Sequence, residues 1–420
     1  MSAPPAPPEP LSPQHIEDPF PGLEVLRDHY PIVWHDLTQS WLVSRYEAIR
    51  PILRDNKRWS THHMKDLLNL YLGDAPTLTE MDGADHTHRR GLVAPYFAAN
   101  GVARFRPVIE RRARALLDPL LERERKALAA GERGRAEIDF VTEFSSIYPV
   151  DVIADMMALP ERDYPRLQGW YNAWIRAVGN IGADPKIHER GLEAKVTFRD
   201  YILPLIAERR QGEGEDLISL LCRSELEGRS MTDEEIRSFL ALIVLAGGET
   251  TDHQLGFIIH TLAQNPEQQR ALIEDRSLMD KMLAEGLRYT AMVQFIQRTA
   301  REDIEVAGVM VTAGTKVTLM LAAGNRDPER WQCPAEFRPD RDDHDPAKAF
   351  TGGAEHVGFG GGRHLCLGTH LAKAEMAVAL NRFLDHARDI RLADGFVAHA
   401  QPDAVFVRAL PSVKITYEPV

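Results

Sequence analysis

Hydrophobic and polar positions divide the chain into stretches of different period. Between about residues 20 and 60, short strand-like runs alternate with helical ones. From about residue 103 to residue 265, apolar positions recur mostly every three or four residues, which is typical of helices that bury one face. The clearest strand-like runs are 31–35 and 41–43. The clearest helical segments are 103–121, 147–157, 192–209 and 216–224.

One long helix is predicted between Thr232 and about Asn265. Thr232 and Glu235 form a capping box, which marks a helix start. Residues 239–246 are apolar on all sides, as expected for a helix that is buried inside a large protein. We therefore predict a long buried helix over this segment.

The period changes again in the last third of the chain. Residues 304–321 alternate, with Gly308 and Gly314 as turn points, which predicts paired strands. Residues 325–363 are rich in Gly, Pro and Asp with little periodicity, and a regular helix follows them. A long irregular segment inside a compact domain usually has a functional reason. We predict one large domain over residues 14–420, mainly α with a minor β region.

Composition narrows the class of protein. The 420 residues are 44% hydrophobic and 27% charged, with a net charge of -12, which argues against a non-specific nucleic-acid binder. Residues 1–13 are Pro-rich and predict a disordered or extended tail. Neither a signal-peptide pattern nor a run of ~18 apolar residues is present, so we expect a cytoplasmic protein without a membrane partner. The three cysteines are too dispersed for a disulfide framework.

The strongest candidate for chemistry is the segment from Phe359 to Gly368, FGGGRHLCLG. Its three consecutive glycines permit a positive φ or a close approach of the backbone to a ligand. The helix that starts just beyond Cys366 would favour a thiolate there, and His364 is placed to bond an anion on the same ligand. One alternative is a Gly-rich turn with a buried free cysteine. The other is a zinc site, in an uncommon spacing, with the ligands His356, His364, Cys366 and His370.

The second candidate lies inside the predicted long helix, where residues 246–251 spell AGGETT. Two glycines in a helix cost about 1 kcal/mol each relative to Ala. A carboxylate at Glu249 and a hydroxyl at Thr250 are unusual in so apolar a helix. A packing site in which Thr250 bonds the carbonyl four residues back would explain the segment equally well.

Two further motifs prove little alone. Glu285 and Arg288 stand three apart on a predicted helix, where an exposed ion pair is the default interpretation. Residues 86–90, HTHRR, are most simply a solvated basic turn.

Together these motifs resemble those of the cytochrome P-450 family, in the family's order, over about residues 82–368. The family's cysteine loop has the form F-x-x-G-x-[HR]-x-C-x-G, and its distal helix carries [AG]-G-x-[DE]-T. An E-x-x-R pair and an arginine in the irregular segment complete the pattern. The loop positions are filled here by Phe359, Gly362, His364, Cys366 and Gly368.

The resemblance implies a single haem-thiolate fold with haem b as the cofactor and Cys366 as the thiolate ligand of the iron. It implies that Glu249 and Thr250 deliver protons to bound O2. The helix glycines are implied to make room for oxygen and substrate. The residues implied to bind the cofactor are His86, Arg90, Arg298, His364, Gly247 and Phe359. A buried triad that fixes the cysteine loop is implied to consist of Glu285, Arg288 and Arg341.

The implied activity is a monooxygenase that inserts one oxygen atom from O2 into a small or medium hydrophobic substrate. Hydroxylation or oxidative demethylation would be the reaction. Gln294 is the one obvious polar group expected near the haem, and His62 and His63 are candidates to anchor a carboxylate. The implied pocket residues are Leu242, Val244, Ala246, Val293, Phe295 and Phe406.

Electrons are expected from NAD(P)H through a ferredoxin reductase and a small acidic ferredoxin that docks near Cys366. A monomer is expected. Two alternatives stay open: a peroxide-driven peroxygenase of the same fold, and a non-catalytic haem sensor. The basic patch expected to receive the ferredoxin consists of Arg89, Lys348, Arg363 and Lys373.

Overall fold

Helices make up most of the structure, a computed structural model that describes residues 5–180, 182–402 and 404–420. The early helices are α1 (Pro13–Glu17), α2 (Phe20–His29), α3 (Tyr46–Arg54), α4 (Lys65–Tyr71), α5 (Gly83–Phe97) and α6 (Ala99–Ala129). Those of the middle are α7 (Tyr148–Met156), α8 (Tyr164–Val178), α9 (Pro185–Arg209), α10 (Leu217–Cys222) and α11 (Asp233–Gln264). The last are α12 (Pro266–Glu274), α13 (Met279–Thr290), α14 (Leu321–Gly324) and α15 (Thr369–Leu384).

The β structure is small and is divided between two sheets and two separate hairpins. One sheet has the order β1-β2-β10-β7-β3, in which only β2 and β10 run parallel. A second has the order β11-β12-β4, and β5-β6 and β8-β9 are separate hairpins. The strands are β1 (Ile32–His35), β2 (Ser40–Val43), β3 (Trp59–Ser60), β4 (Ala136–Asp139), β5 (Glu225–Leu226), β6 (Arg229–Ser230), β7 (Ile296–Ala300), β8 (Ile304–Val306), β9 (Val309–Val311), β10 (Lys316–Leu319), β11 (Ala387–Leu392) and β12 (Lys414–Pro419).

Helix α11 is the central element of the core. The predicted capping box at Thr232 and Glu235 is present, and the helix runs for 32 residues before Pro266. It packs against α7, α8, α9, α13 and α15, which explains why its middle is apolar all round. The sequence prediction of a long buried helix is confirmed.

The strand predictions are also confirmed. Gly308 and Gly314 have φ angles of 83° and 82°, so each supplies the left-handed backbone that the turns after β8 and β9 need. Residues 325–368 then form turns and loops, with a single turn of 3-10 helix at Gly362–His364, before α15 begins. This irregular segment ends at the cysteine.

The N-terminal segment is held against the body of the chain. Residues 1–4 of the predicted tail lie outside the described residues. The Tyr30 hydroxyl bonds the Pro5 carbonyl at 2.7 Å, and His35 Nε2 lies 2.8 Å from a carboxylate oxygen of Glu9. The domain boundary at residue 14 stays a prediction. Across the described ranges, every helix is too short or too polar to cross a membrane.

Candidate functional site

The cysteine loop has a fold that only glycine permits. Gly360 and Gly362 have φ angles of 70° and 63°. A Cβ on Gly362 would lie 2.7 Å from the Leu53 carbonyl oxygen, so α3 is packed directly on the loop. The Cys366 N–H donates to the Phe359 carbonyl at 3.0 Å and closes the loop. The run of glycines therefore positions the cysteine.

The Cys366 side chain faces an internal space. Its accessible surface is large, yet burial is the main influence on the thiol and raises its pKa. The Gly368 N–H, which donates to the sulfur, and the Arg90 guanidinium both act in the opposite direction and favour the thiolate. Within the described part of the chain, no three His, Cys, Asp or Glu side chains are placed to hold a metal ion, so the zinc alternative finds no ligand set there.

Buried side chains that can donate hydrogen bonds lie near the internal space that Cys366 faces. His86 is fully buried, and neither of its ring nitrogens has a hydrogen-bond partner in the part of the chain that the structure describes. Its ring lies 4.4 Å from that of His364, and burial lowers its pKa to about 3. Arg298 is 7% exposed and, among the described residues, donates only to the adjacent Gln297 carbonyl, and burial lowers its pKa to about 10. Buried donors without acceptors are costly, so an anionic group such as a pair of carboxylates fits here.

His63 belongs with these donors, although the sequence offered it only as a substrate anchor. Its Nε2 is buried and has no partner within the described ranges, and its Nδ1 lies 3.4 Å from Thr299 Oγ1 on β7. Burial, followed by the charge of Arg298, lowers the pKa of His63 to about 4. A pair of adjacent histidines in a loop was the only signal in the sequence.

Asp82 orients His364, which lies on the more exposed side of the buried donors His86, Arg298 and His63. Burial raises its pKa, but hydrogen bonds from His364 and Ser60 and the charge of Arg301 outweigh burial and hold the pKa at about 2. The carboxylate lies 3.5 Å from His364 Nε2 and 2.7 Å from Arg301 Nη2. Asp82 therefore orients the His364 ring beside His86.

The distal helix presents one face to the interior. Ala246 is exposed although it lies in the middle of the otherwise buried α11, and Glu249 and Thr250 follow on the same face. Thr250 Oγ1 donates to the Ala246 carbonyl at 2.9 Å, as the packing interpretation required. Burial, with a smaller contribution from Asp252, raises the pKa of Glu249 to about 8. An acid that is protonated at neutral pH thus stands beside an alcohol.

The two helix glycines have a packing role, as the packing interpretation of this segment allowed. A Cβ on Gly247 would lie 2.9 Å from Ile153 Cδ1, and one on Gly248 would lie 2.7 Å from Val150 Cγ2. Both contacts are with α7, so the missing side chains admit that helix. The room for oxygen and substrate that the resemblance assigns to these glycines stays a prediction.

The predicted triad is assembled and buried. Glu285 accepts from Arg288 Nη2 at 2.7 Å and from Arg341 Nε at 2.9 Å. Arg288 also donates to the Asn325 carbonyl at 3.0 Å, and the Asn325 side chain accepts from the Val357 N–H at 2.8 Å. The default interpretation of an exposed ion pair is therefore wrong, and the triad reaches the cysteine loop through Asn325.

The predicted pocket residues separate into two groups. Val244 is fully buried on the face of α11 opposite Ala246, whereas Leu242 and the unpredicted Ile243 lie on the Ala246 side and are partly accessible. The α-helical period explains the error at Val244.

The other predicted pocket residues meet where residues 293–295 pass residues 406–407. The rings of Phe295 and Phe406 lie 5.0 Å apart, and Val293 forms a β-bridge with Val407. Gln294 instead donates its amide to the Ala291 carbonyl at 2.7 Å and lines a small void beside His15. It is turned towards α1, contrary to the expectation.

The predicted basic patch is largely neutralised. Arg89 is buried and paired with Glu235, so it does not belong to a docking surface. Lys348 pairs with Asp345 at 3.0 Å, and Lys373 pairs with Asp280 at 2.8 Å. Arg363, the fourth member, donates to the Gly83 carbonyl.

Cations that the sequence did not single out lie on α3, beside the cysteine loop. Arg50 and Arg54 line a shallow groove together with Gly360, Gly361 and Leu365. In the described structure, neither arginine has an ion-pair partner, and Arg54 donates only to the Gly352 carbonyl at 3.2 Å. This groove replaces the predicted patch as the candidate basic surface.

Comparison with known proteins gives a consistent result. Residues 168–388 match the family model described as "Cytochrome P450". The chain is 33% identical over 386 residues to pulcherriminic acid synthase of Bacillus subtilis (strain 168), with 92% of each chain covered. It is 31% identical over 365 residues to the erythromycin C-12 hydroxylase of Saccharopolyspora erythraea, covering 86% of this chain and 85% of that one.

Solved structures agree with the sequence relatives. CYP109E1 from Bacillus megaterium in complex with testosterone superposes with a TM-score of 0.81 at 27% identity, covering 95% of this chain and 99% of that one. CalO2 superposes with a TM-score of 0.84 at 27% identity, covering 98% of each chain.

Proposed function

This chain belongs to the cytochrome P450 family and is a haem-thiolate monooxygenase. From this premise, we propose which residues hold the haem, which deliver protons and which bind the substrate. Haem b, when bound, supplies the activation of O2 with NAD(P)H-derived electrons, so that one oxygen atom enters an organic substrate. The protein supplies the thiolate, the anchoring groups, the proton donors and an apolar site.

Cys366 is the residue proposed to hold the haem iron through its thiolate. The observation that carries this assignment is the Cys366 thiol facing an internal space while its backbone N–H is held by the Phe359 carbonyl. The Gly368 N–H stabilises the anion from one side. The positive φ angles of Gly360 and Gly362 set the path of the loop that leads to the sulfur.

The proposed anchors for the haem carboxylates are His86, Arg90, Arg298 and His364, with His63 added from the structure. Their support is that both ring nitrogens of the buried His86 lack a partner among the described residues, and that the buried Arg298 donates to a backbone carbonyl and forms no ion pair there. Arginine can hold a carboxylate with two parallel hydrogen bonds. Binding of an anion would therefore satisfy groups that are otherwise costly to bury.

Glu249 and Thr250 are proposed to handle protons. With a pKa of about 8, the Glu249 carboxyl holds its proton at neutral pH and can release it when negative charge develops nearby. The Thr250 hydroxyl donates to the Ala246 carbonyl, which fixes its oxygen on the interior face of α11. This pair disfavours a peroxygenase, because peroxide already carries the protons that such a pair delivers.

The substrate is proposed to be a small or medium hydrophobic molecule. Its support is the apolar character of the interior face of α11 and of the segments around Phe295 and Phe406. The relatives' names point to different compounds, among them erythromycin and testosterone, so they do not narrow the class further.

A small acidic ferredoxin is the proposed electron donor, docking at the groove that Arg50 and Arg54 line beside the cysteine loop. Charge reversal at both arginines should slow ferredoxin-dependent reduction several-fold at low salt, while reduction by dithionite stays unchanged. The same reversal at Lys57, an exposed residue on the neighbouring turn, is the control. A monomer in the cytoplasm, where NAD(P)H-linked reductases operate, completes the proposal.

The deciding experiment is the difference spectrum of the dithionite-reduced protein with and without carbon monoxide. We expect the red-shifted Soret band of a thiolate-ligated complex in the native protein and its loss in Cys366→Ala. A protein that binds haem but lacks this band would refute Cys366 as the ligand. Faster turnover with peroxide alone than with ferredoxin would identify a peroxygenase instead, and absence of any NAD(P)H-dependent product would favour a sensor.

A further inference from the structure

Helix α11 carries a second buried acid, Asp252, three residues after Glu249. Its side chain is 7% exposed, and its Oδ1 accepts from the Ser145 hydroxyl at 2.6 Å. In the described ranges, no arginine or lysine pairs with it. Its nearest basic neighbour is His253, whose Nδ1 lies 3.6 Å from Oδ2 and makes no hydrogen bond. Burial lowers the pKa of His253 to about 4, so the imidazole is neutral and brings no counter-charge.

Ser145 reaches Asp252 from an unusual piece of backbone. It is the last residue of a π-helical turn, Val141–Ser145, and such turns are rare and frequently found at functional sites. Helix α11 is packed closely on the turn, since a Cβ on Gly256 would lie 3.0 Å from Val141 Cγ2. Ser145 is fully buried, but the next residue, Ser146, is partly exposed. The buried hydroxyl is therefore one residue away from a position that is partly accessible.

Among the described residues, Asp252 has one acidic neighbour, Glu249, and the serine and histidine beside it are neutral. Tyr171 on α8 is buried, and burial, with contributions from Asp252 and Glu249, raises the pKa of its hydroxyl well above the usual range. Two neighbouring carboxylates without a cation cannot both ionise at low cost, so their protons come off as a coupled pair. Burial raises the pKa of Asp252 to about 7, and the Ser145 hydroxyl, by stabilising the charged form, keeps it from rising further.

We propose that Asp252 is the proton reservoir of Glu249 and that Ser145 is the positioning residue of Asp252. This proposal rests on the proposed role of Glu249 as proton donor. When Glu249 has released its proton, the proton of the Asp252 carboxyl moves to the Glu249 carboxylate. The negative charge then resides on Asp252, where the Ser145 hydroxyl donates to it, and solvent returns one proton to Asp252. The exchange consumes one solvent proton for each proton that Glu249 delivers.

Infrared difference spectroscopy during a pH titration of the holoprotein tests the coupling without turnover. Glu249→Gln and Asp252→Asn assign the two carboxyl bands. In Asp252→Asn, the Glu249 band should titrate about one pH unit lower, because a neighbouring negative charge is gone. In Ser145→Ala, the Asp252 band should move to higher pH, while the adjacent Ser146→Ala should match the native protein. An unshifted Glu249 band in Asp252→Asn overturns the proposal.

A second readout separates this proposal from the role of Glu249. Peroxide released per NAD(P)H consumed should rise several-fold in both Glu249→Gln and Asp252→Asn, and Asp252→Glu should restore it. If the peroxide ratio rises in Glu249→Gln but stays at the native level in Asp252→Asn, the reservoir role of Asp252 is refuted and the role of Glu249 stands. If it is unchanged in Glu249→Gln, the proton role of Glu249 fails and the reservoir fails with it. Thermal unfolding of each variant identifies a loss that is due to misfolding.

Discussion

Replacing Glu285 with glutamine tests whether the buried triad holds the irregular segment before the cysteine. The carboxylate is 1% exposed and accepts four hydrogen bonds. Two come from Arg288 at 2.7 and 2.8 Å, one from Arg341 Nε at 2.9 Å and one from the Arg338 N–H at 2.9 Å. Glutamine keeps the shape of the side chain but turns one acceptor oxygen into an NH2 group that faces donors.

The expected loss in the free energy of unfolding depends on which arginine is left without an acidic partner. Arg341 keeps Asp343 at 2.7 Å, so its charge stays compensated. Arg288 is fully buried, and no other acid of the described residues pairs with it; its remaining hydrogen bonds go to backbone carbonyls, which satisfy its N–H groups but not its charge. Removing one partner of a buried ion pair costs ~3–5 kcal/mol. Because the backbone carbonyls still accept hydrogen bonds from Arg288, we expect Glu285→Gln to lower the free energy of unfolding by ~3 kcal/mol, the lower end of that range. The N–H donors that would face the new NH2 group give a similar estimate of the loss, since two unsatisfied donors cost ~1–3 kcal/mol each.

Urea unfolding of the holoprotein, followed by tryptophan fluorescence and by haem absorbance, measures this loss. Trp331 is a local reporter, because the guanidinium groups of Arg288 and Arg341 lie 5.6 and 5.8 Å from its ring. Glu193→Gln is the matched control, since Glu193 is exposed on α9 and has no ion pair within the described structure. It should change the free energy of unfolding by less than about 0.5 kcal/mol. A loss below about 1 kcal/mol in Glu285→Gln would refute the reasoning.

Three further outcomes follow from the site and its helix. His86→Ala should speed transfer of haem to an excess of apomyoglobin about tenfold, since a lost charge-assisted hydrogen bond is worth ~1.5 kcal/mol; an unchanged rate contradicts its role as an anchor. Because the folded protein holds the Glu249 proton up to about pH 8 and the unfolded chain releases it near pH 4.5, Glu249 should reduce stability progressively as pH rises through that window. Glu249→Gln should therefore raise the melting temperature at pH 8 relative to the native protein, with little difference at pH 4. Gly248→Ala should lower the melting temperature, since overpacking against Val150 costs ~1–3 kcal/mol and helix propensity returns only about 1; Gly169→Ala, on α8 with open space around it, should not.

Features that depend on near neighbours in the chain were predictable. The start of α11 is set by the side chains of Thr232 and Glu235 acting on adjacent backbone groups. The turns at Gly308 and Gly314 follow from the positive φ that glycine adopts without strain. The cysteine loop belongs to the same class, because its shape comes from glycines within ten residues of Cys366.

Features that depend on distant partners were not predictable in the same way. Glu285 and Arg288 look like a surface pair until the chain brings Arg341 and the Asn325 carbonyl to them. Arg89 looked free until α11 placed Glu235 beside it. The family resemblance supplied the triad, but nothing in the sequence marked Arg89 as buried.

The amino-acid sequence by itself determined which segments are helical, where α11 begins and which cysteine stands in a loop built for a ligand, because these depend on spacing within a few residues. Only the tertiary structure decided which face of α11 meets the interior, so that Ile243 rather than Val244 lies beside Ala246. It also decided that Asp252 meets Ser145, 107 positions away. The period of a helix fixes how its residues stand relative to one another, but the direction in which they point is set by the packing of other elements.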